Sequence, residues 1–110
     1  MKKSQEPLGS LEHIVLLAVM GLGASAYGVT VRRQIEEATG RDISIGAVYA
    51  TLVRLESKGL IRSHTGEPTA ERGGRAKRYF RMTADGEGAL RNTHQIIQKM
   101  SAGLKGLQTT

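Results

Sequence analysis

Between residues 54 and 81, eight cationic side chains (Arg54, Lys58, Arg62, Arg72, Arg75, Lys77, Arg78 and Arg81) face only three carboxylates, Glu56, Glu67 and Glu71. Cations set along a segment without matching acids attract a polyanion, and phosphate is the group that arginine and lysine neutralise most generally. This stretch holds most of the +6 formal charge of the 110-residue chain. Other chemistry is poorly supplied. The absence of cysteine removes disulfides, zinc-thiolate sites and thiol nucleophiles together. His13, His64 and His94 stand in separate segments without carboxylates at ligand spacing, so no metal site or catalytic triad is expected. Gly21-Leu22-Gly23-Ala24-Ser25-Ala26 matches a dinucleotide-binding G-x-G-x-x-A pattern, with Asp42 about 20 residues on. The residues before it repeat with helical spacing where that motif needs a strand, and the chain is too short for a doubly wound sheet. No enzymatic activity and no cofactor are expected.

Hydropathy spacing describes the scaffold that must hold the cations. Leu11, Ile14, Val15 and Ala18 recur as one face of a helix that Leu16, Leu17 and Val19 widen and Gly21 and Gly23 end. Ser25 is expected to cap a second helix, with Tyr27, Val31 and Ile35 inward, Arg32, Arg33, Glu36 and Glu37 in water, and Thr39-Gly40 as its stop. Ser44 caps a third, with Ile45, Val48, Leu52 and Leu55 inward and Gly59 closing it. Leu60–His64 and Arg78–Thr83 read as the arms of a β-hairpin around a basic loop, Thr65–Lys77. Thr83 caps a last helix, where Leu90, Thr93, Ile97, Met100, Leu104 and Leu107 alternate spacings of three and four, a seam expected to meet a second copy of the chain. The apolar run from Ile14 to Met20 is too short to span a membrane or to serve as a leader, so a cytoplasmic protein is expected.

Helix, helix, helix, hairpin, helix is the outline of a mainly α (α+β) winged helix-turn-helix, with a two-stranded β-wing and a C-terminal dimerisation helix. Residues 1–83 would form the DNA-binding domain and 84–110 the dimerisation helix and tail, as one compact unit. The third helix leaves Gly46, Ala47, Tyr49, Ala50 and Val53 outside. Small residues there let a helix sink into a major groove about 12 Å wide, where base edges display their donor and acceptor pattern.

Leu8-Gly9 with Leu11, Tyr27-Gly28, Ser44-Ile45-Gly46-Ala47-Val48-Tyr49, then Leu52, Leu55, Glu56, Gly59, Leu60 and Ile61 form a recurrent pattern. Gly74-Arg75-Ala76-Lys77-Arg78-Tyr79-Phe80, Met82-Thr83 and Gly86 continue it. From Leu8 to Leu104 the sequence resembles the PadR family of bacterial regulators, in its smaller subclass with a single short C-terminal helix. The resemblance implies a homodimeric repressor of double-stranded DNA at a pseudo-palindromic operator. It further implies the third helix in the major groove, the wing over the neighbouring backbone, the last helix making the dimer, and room for release by an unidentified small-molecule effector. Relatives that sandwich flat aromatic ligands use aromatic side chains on the last helix; here that helix has none, and the chain has no Trp.

The residues expected at DNA are Tyr27, Ser44, Gly46, Ala47, Tyr49, Ala50 and Arg54, with Arg72, Arg75, Lys77 and Arg78 from the wing. Tyr27 and Tyr49 each admit two readings, a ring packed in the core or a hydroxyl at a phosphate. The wing cations contact DNA or form a solvated loop. Two other uses of the fold compete: a protein-interaction adaptor, which would need an exposed apolar patch, and a small RNA-binding protein, which would need stacking aromatics from a chain with only 4% aromatic residues.

Overall fold

The computed structural model describes residues 7–66, 77–104 and 106. Helix α1 spans Ser10–Leu22, α2 Gly28–Thr39, α3 Ile45–Ser57 and α4 Ala84–Ser101; strands β1 (Ile61–Thr65) and β2 (Arg78–Met82) pair antiparallel. Arg72, Arg75 and Leu107 lie outside the described residues.

Four of the expected helix signals act as written. Ser44 Oγ accepts the Ala47 N–H at 3.0 Å, and Thr83 Oγ1 accepts that of Gly86 at 3.0 Å. Gly40 ends α2 in the left-handed conformation at φ 70°. After Gly59, at φ 77°, the Leu60 N–H returns to the Leu55 carbonyl at 3.0 Å. That turn commits Leu60 to the end of α3, so β1 begins one residue later than its hydropathy suggested.

One helix end, one helix start and one face differ from expectation. α1 runs through Gly21 to Leu22, and a 3₁₀ turn over Gly23–Ser25 follows it. Ser25 does not cap α2. The Thr30 hydroxyl accepts the Tyr27 N–H at 3.0 Å and donates to the Ser25 carbonyl at 2.6 Å, so the helix starts at Gly28. Ile45, expected inside, is exposed at the first position of α3, and the inner face is Val48, Thr51, Leu52 and Leu55. Thr51 is tolerated there because its hydroxyl donates to the Ala47 carbonyl at 2.9 Å.

The core gathers Val15, Leu16 and Val19 of α1, Val31 and Ile35 of α2, the inner face of α3, Ile61 and Phe80 of the sheet, and Leu90 of α4. Phe80 also anchors the sheet to the start of α2: its N–H donates to the Ala26 carbonyl at 2.9 Å, and Tyr27 bridges Tyr79. The residues before α2 thus act as a third, minimal strand beside β2. At the other end, the Thr83 hydroxyl donates to the Gly59 carbonyl at 2.7 Å and its N–H to Leu60 at 3.2 Å. A Cβ at Gly86 would overlap the Leu60 carbonyl, so only glycine lets the first turn of α4 seat there.

Candidate nucleic-acid interface

α2 and α3 are joined by a turn that Arg32 holds. Its Nε donates to the Ile43 carbonyl at 2.7 Å, and its Nη2 meets Asp42 Oδ1 at 3.1 Å and Glu36 Oε2 at 3.0 Å. Arg32 was expected in water; it spans ten residues to fix the helix-turn-helix angle instead. With that angle set, α3 turns Gly46, Tyr49, Ala50, Val53 and Arg54 outward, Ala47 half-buried at their margin, and Ser44 exposed at the cap.

Tyr49 is neither a core residue nor a free surface one. Its ring lies across the start of α2, so close to Gly28 that a Cβ there would come within 3.0 Å of the ring and the hydroxyl oxygen. The ring keeps 36% of its surface and stands between the outer face of α3 and the first turn of α2. Tyr27 is half-buried at the wing root. Its ring meets Tyr79 edge-on at 5.3 Å, Lys77 Nζ sits 5.3 Å from the ring centre, and His64 stacks on the far face of the group at 5.7 Å from Tyr79. This aromatic cluster carries Lys77 at the point where the described part of the wing ends.

The wing is clamped to α3 by Glu56. Its Oε2 accepts from the Ser63 hydroxyl at 2.7 Å and the Ser63 N–H at 3.2 Å, while Oε1 takes Arg78 Nη2 at 2.6 Å. The Ser63 hydroxyl, opposed by partial burial and aided by Arg78, holds the Glu56 carboxyl below its ordinary pKa. Arg78 therefore faces α3 across the guanidinium–carboxylate pair and also covers the Phe80 ring at 5.2 Å. Lys58, at the end of α3, likewise points back to a carboxylate, Glu12 of α1, at 2.8 Å. Arg54 keeps its place on the outer face. Charge alone did not mark Glu56 or Arg32 as organising residues; an acid between Arg54 and Lys58 in a basic segment was the available signal for the first.

The profile of the PadR-like family of transcriptional regulators matches residues 16–92, most of the chain. The chain belongs to that family. PadR-like regulators are DNA-binding transcription factors, which accounts for the outward helix and the basic wing. No curated protein matches the chain. Among solved structures, a PadR-like transcription factor from Bacteroides fragilis superposes with a TM-score of 0.74 at 20% identity, over 91% of each chain. A Streptococcus transcriptional regulator gives 0.71 at 25% identity over 91% of this chain and 93% of its own. A PadR-like regulator from Bacillus cereus gives 0.70 at 22% over 93% and 95%. The shared fold confirms the winged helix as the PadR-like arrangement of four helices and a two-stranded sheet.

The expected dimer seam divides in two. Leu90 and Thr93, 6% and 1% exposed, are covered by their own chain, and Thr93 Oγ1 accepts the Leu8 N–H at 3.0 Å. They correct the expectation of one continuous partner-facing stripe, since they leave almost no surface for a second subunit. Ile97, Met100 and Leu104 remain 49%, 74% and 50% exposed on the second half of the PadR-like C-terminal segment. Among the described residues no helix is long and apolar enough to cross a membrane, and no group of three or more potential ligands could hold a metal ion.

Proposed function

We propose that the chain is a cytoplasmic homodimeric repressor that places α3 in successive major grooves of a pseudo-palindromic operator. The observation that carries the reading is the outer face of α3, capped at Ser44 and exposed along Gly46, Tyr49, Ala50 and Val53, beside a wing that Glu56 fixes in direction. In this reading Gly46, Ala47 and Ala50 face the bases, and Ser44, Tyr49 and Arg54 border the groove. Tyr27 supports Lys77, and Lys77 with Arg72 and Arg75 lies along the phosphates. Arg78 serves by orienting the wing through Glu56. Two copies join through Ile97, Met100 and Leu104, extended by Leu107. A small-molecule effector, where one acts, is not held in an aromatic sandwich on α4, which has no aromatic side chain.

The test is selection of duplexes from a random library, followed by fluorescence anisotropy against scrambled and single-stranded competitors. An inverted repeat with half-sites about one helical turn apart is expected, because a two-fold dimer presents equivalent helices at that separation. Equal affinity for every competitor at moderate salt would remove the operator from the proposal.

A further inference from the structure

Side chains that read base edges by hydrogen bonding are absent from the part of α3 best placed to reach them. In helix-turn-helix proteins the N-terminal residues of the recognition helix approach the bases. Here the outward positions of the first two turns and the start of the third are Ile45, Gly46, Tyr49, Ala50 and Val53. Isoleucine, glycine, alanine and valine side chains offer no donor or acceptor. The Tyr49 hydroxyl is set back over Gly28 at the margin of the face. Ser44 Oγ accepts the Ala47 N–H at the cap, ahead of the helix, which leaves its O–H only as a single, non-bidentate donor. Arg54 is the first outward side chain able to make the bidentate contacts that identify guanine, and it lies beyond Val53.

The face is nonetheless not bare. Val53 is 51% exposed and Ile45 40%, large apolar surfaces left in water on the outer face of the helix. Val29 at the start of α2 adds another at 45%. The major groove offers one apolar feature in its recognition pattern, the 5-methyl group of thymine. A neutral, shallow helix face bordered by cations fits that feature. Phosphate attraction supplies the approach, Gly46 and Ala50 permit close seating, and a thymine methyl group meeting Val53 would bury its apolar surface.

We propose that this regulator recognises its half-site chiefly through thymine methyl groups packed against Ala50 and Val53, with Arg54 as the outward side chain of α3 able to read guanine bidentately. The inference rests on the DNA-binding reading above and adds the chemistry of discrimination. It requires at least two thymines in each half-site whose methyl groups, not their carbonyl oxygens, are recognised.

The experiment uses the full-length protein and the duplex it selects from a random library. Each thymine of a half-site is replaced in turn by deoxyuridine, which deletes the methyl group and keeps every hydrogen-bonding atom; each guanine is separately replaced by 7-deazaguanine, which deletes the N7 acceptor. Loss of about fourfold in affinity is expected at each contacted thymine, the size associated with one buried methylene-sized group. Val53→Ala should weaken binding to the thymine duplex and make one deoxyuridine replacement nearly silent. Deoxyuridine throughout both half-sites with unchanged affinity would overturn the inference while leaving specific binding intact. If no duplex is enriched at all, the DNA-binding reading itself fails, and the methyl readout with it.

Discussion

The phenol ring of Tyr49 on α3 occupies the space that a side chain at Gly28 on α2 would need. The two helices of the helix-turn-helix are therefore keyed together at one residue from each, close to the surface proposed to meet DNA. Gly28→Ala must push the ring out or separate the helices. Overpacking of this kind costs about 1–3 kcal/mol, so a lower melting temperature and weaker operator binding are expected together. Tyr49→Phe keeps the key and should leave the melting temperature almost unchanged, with operator affinity reduced by the loss of one hydroxyl contact. A melting temperature unaffected by Gly28→Ala would contradict the packing.

Glu56→Gln tests the clamp between α3 and the wing. Hydrogen bonds to a charged group contribute more than neutral ones, but the Arg78 partner is half-exposed, so a loss of about 1 kcal/mol in unfolding free energy is expected by denaturant titration. The pH dependence has a definite sign. Because the folded carboxyl titrates below its ordinary 4.5, the stabilisation is present above that value and is lost as pH falls through the lowered folded pKa. The variant should show a flatter acid limb over that window.

Much of this architecture could be read from local chemistry, and the misses share a cause. Ser44 and Thr83 were recognisable caps because each bonds to an N–H three residues away. Ser25 looked equivalent, but Thr30 supplied the competing hydroxyl and moved the start of α2 to Gly28. Arg32 looked like a surface charge because its partners, Ile43 and Asp42, lie across a turn whose shape the hydropathy pattern does not contain. The apolar spacing of α4 was read from its periodicity. Periodicity cannot say which molecule covers a side chain, and Thr93 is covered from Leu8, 85 residues away in sequence.

That division predicts two kinds of α4 variant. Leu90→Ala removes core volume and should destabilise the subunit by about 2–5 kcal/mol, whatever its oligomeric state. Ile97→Lys alters an exposed position; sedimentation should show monomers, with secondary structure by circular dichroism retained and cooperative operator binding lost. A dimeric Ile97→Lys protein would place the subunit interface elsewhere.

Acidification should weaken the contact between α1 and α4. Burial, and then repulsion from His94, hold His13 below the ordinary histidine value of 6.5. The folded state thus binds fewer protons than the unfolded chain, so this stability is complete above 6.5 and declines as pH falls through the lowered folded pKa. Melting temperatures recorded from neutral to mildly acidic pH should fall for the natural sequence and fall less for His13→Asn. Parallel curves for the two proteins would show that His13 is not the group responsible.

The seat of Gly86 on the Leu60 carbonyl, with Thr83 bonded to Gly59 and Leu60, leaves no layer of side chains between the first turn of α4 and the turn that closes α3. Helix α4 and that turn meet backbone to backbone. Side chains can absorb a small movement by changing rotamer, but main chain in contact with main chain transmits it. A tilt of α4, from whatever binds its exposed end, would act as a short lever with its fulcrum at Thr83, and its load would be the angle at which α3 enters the groove.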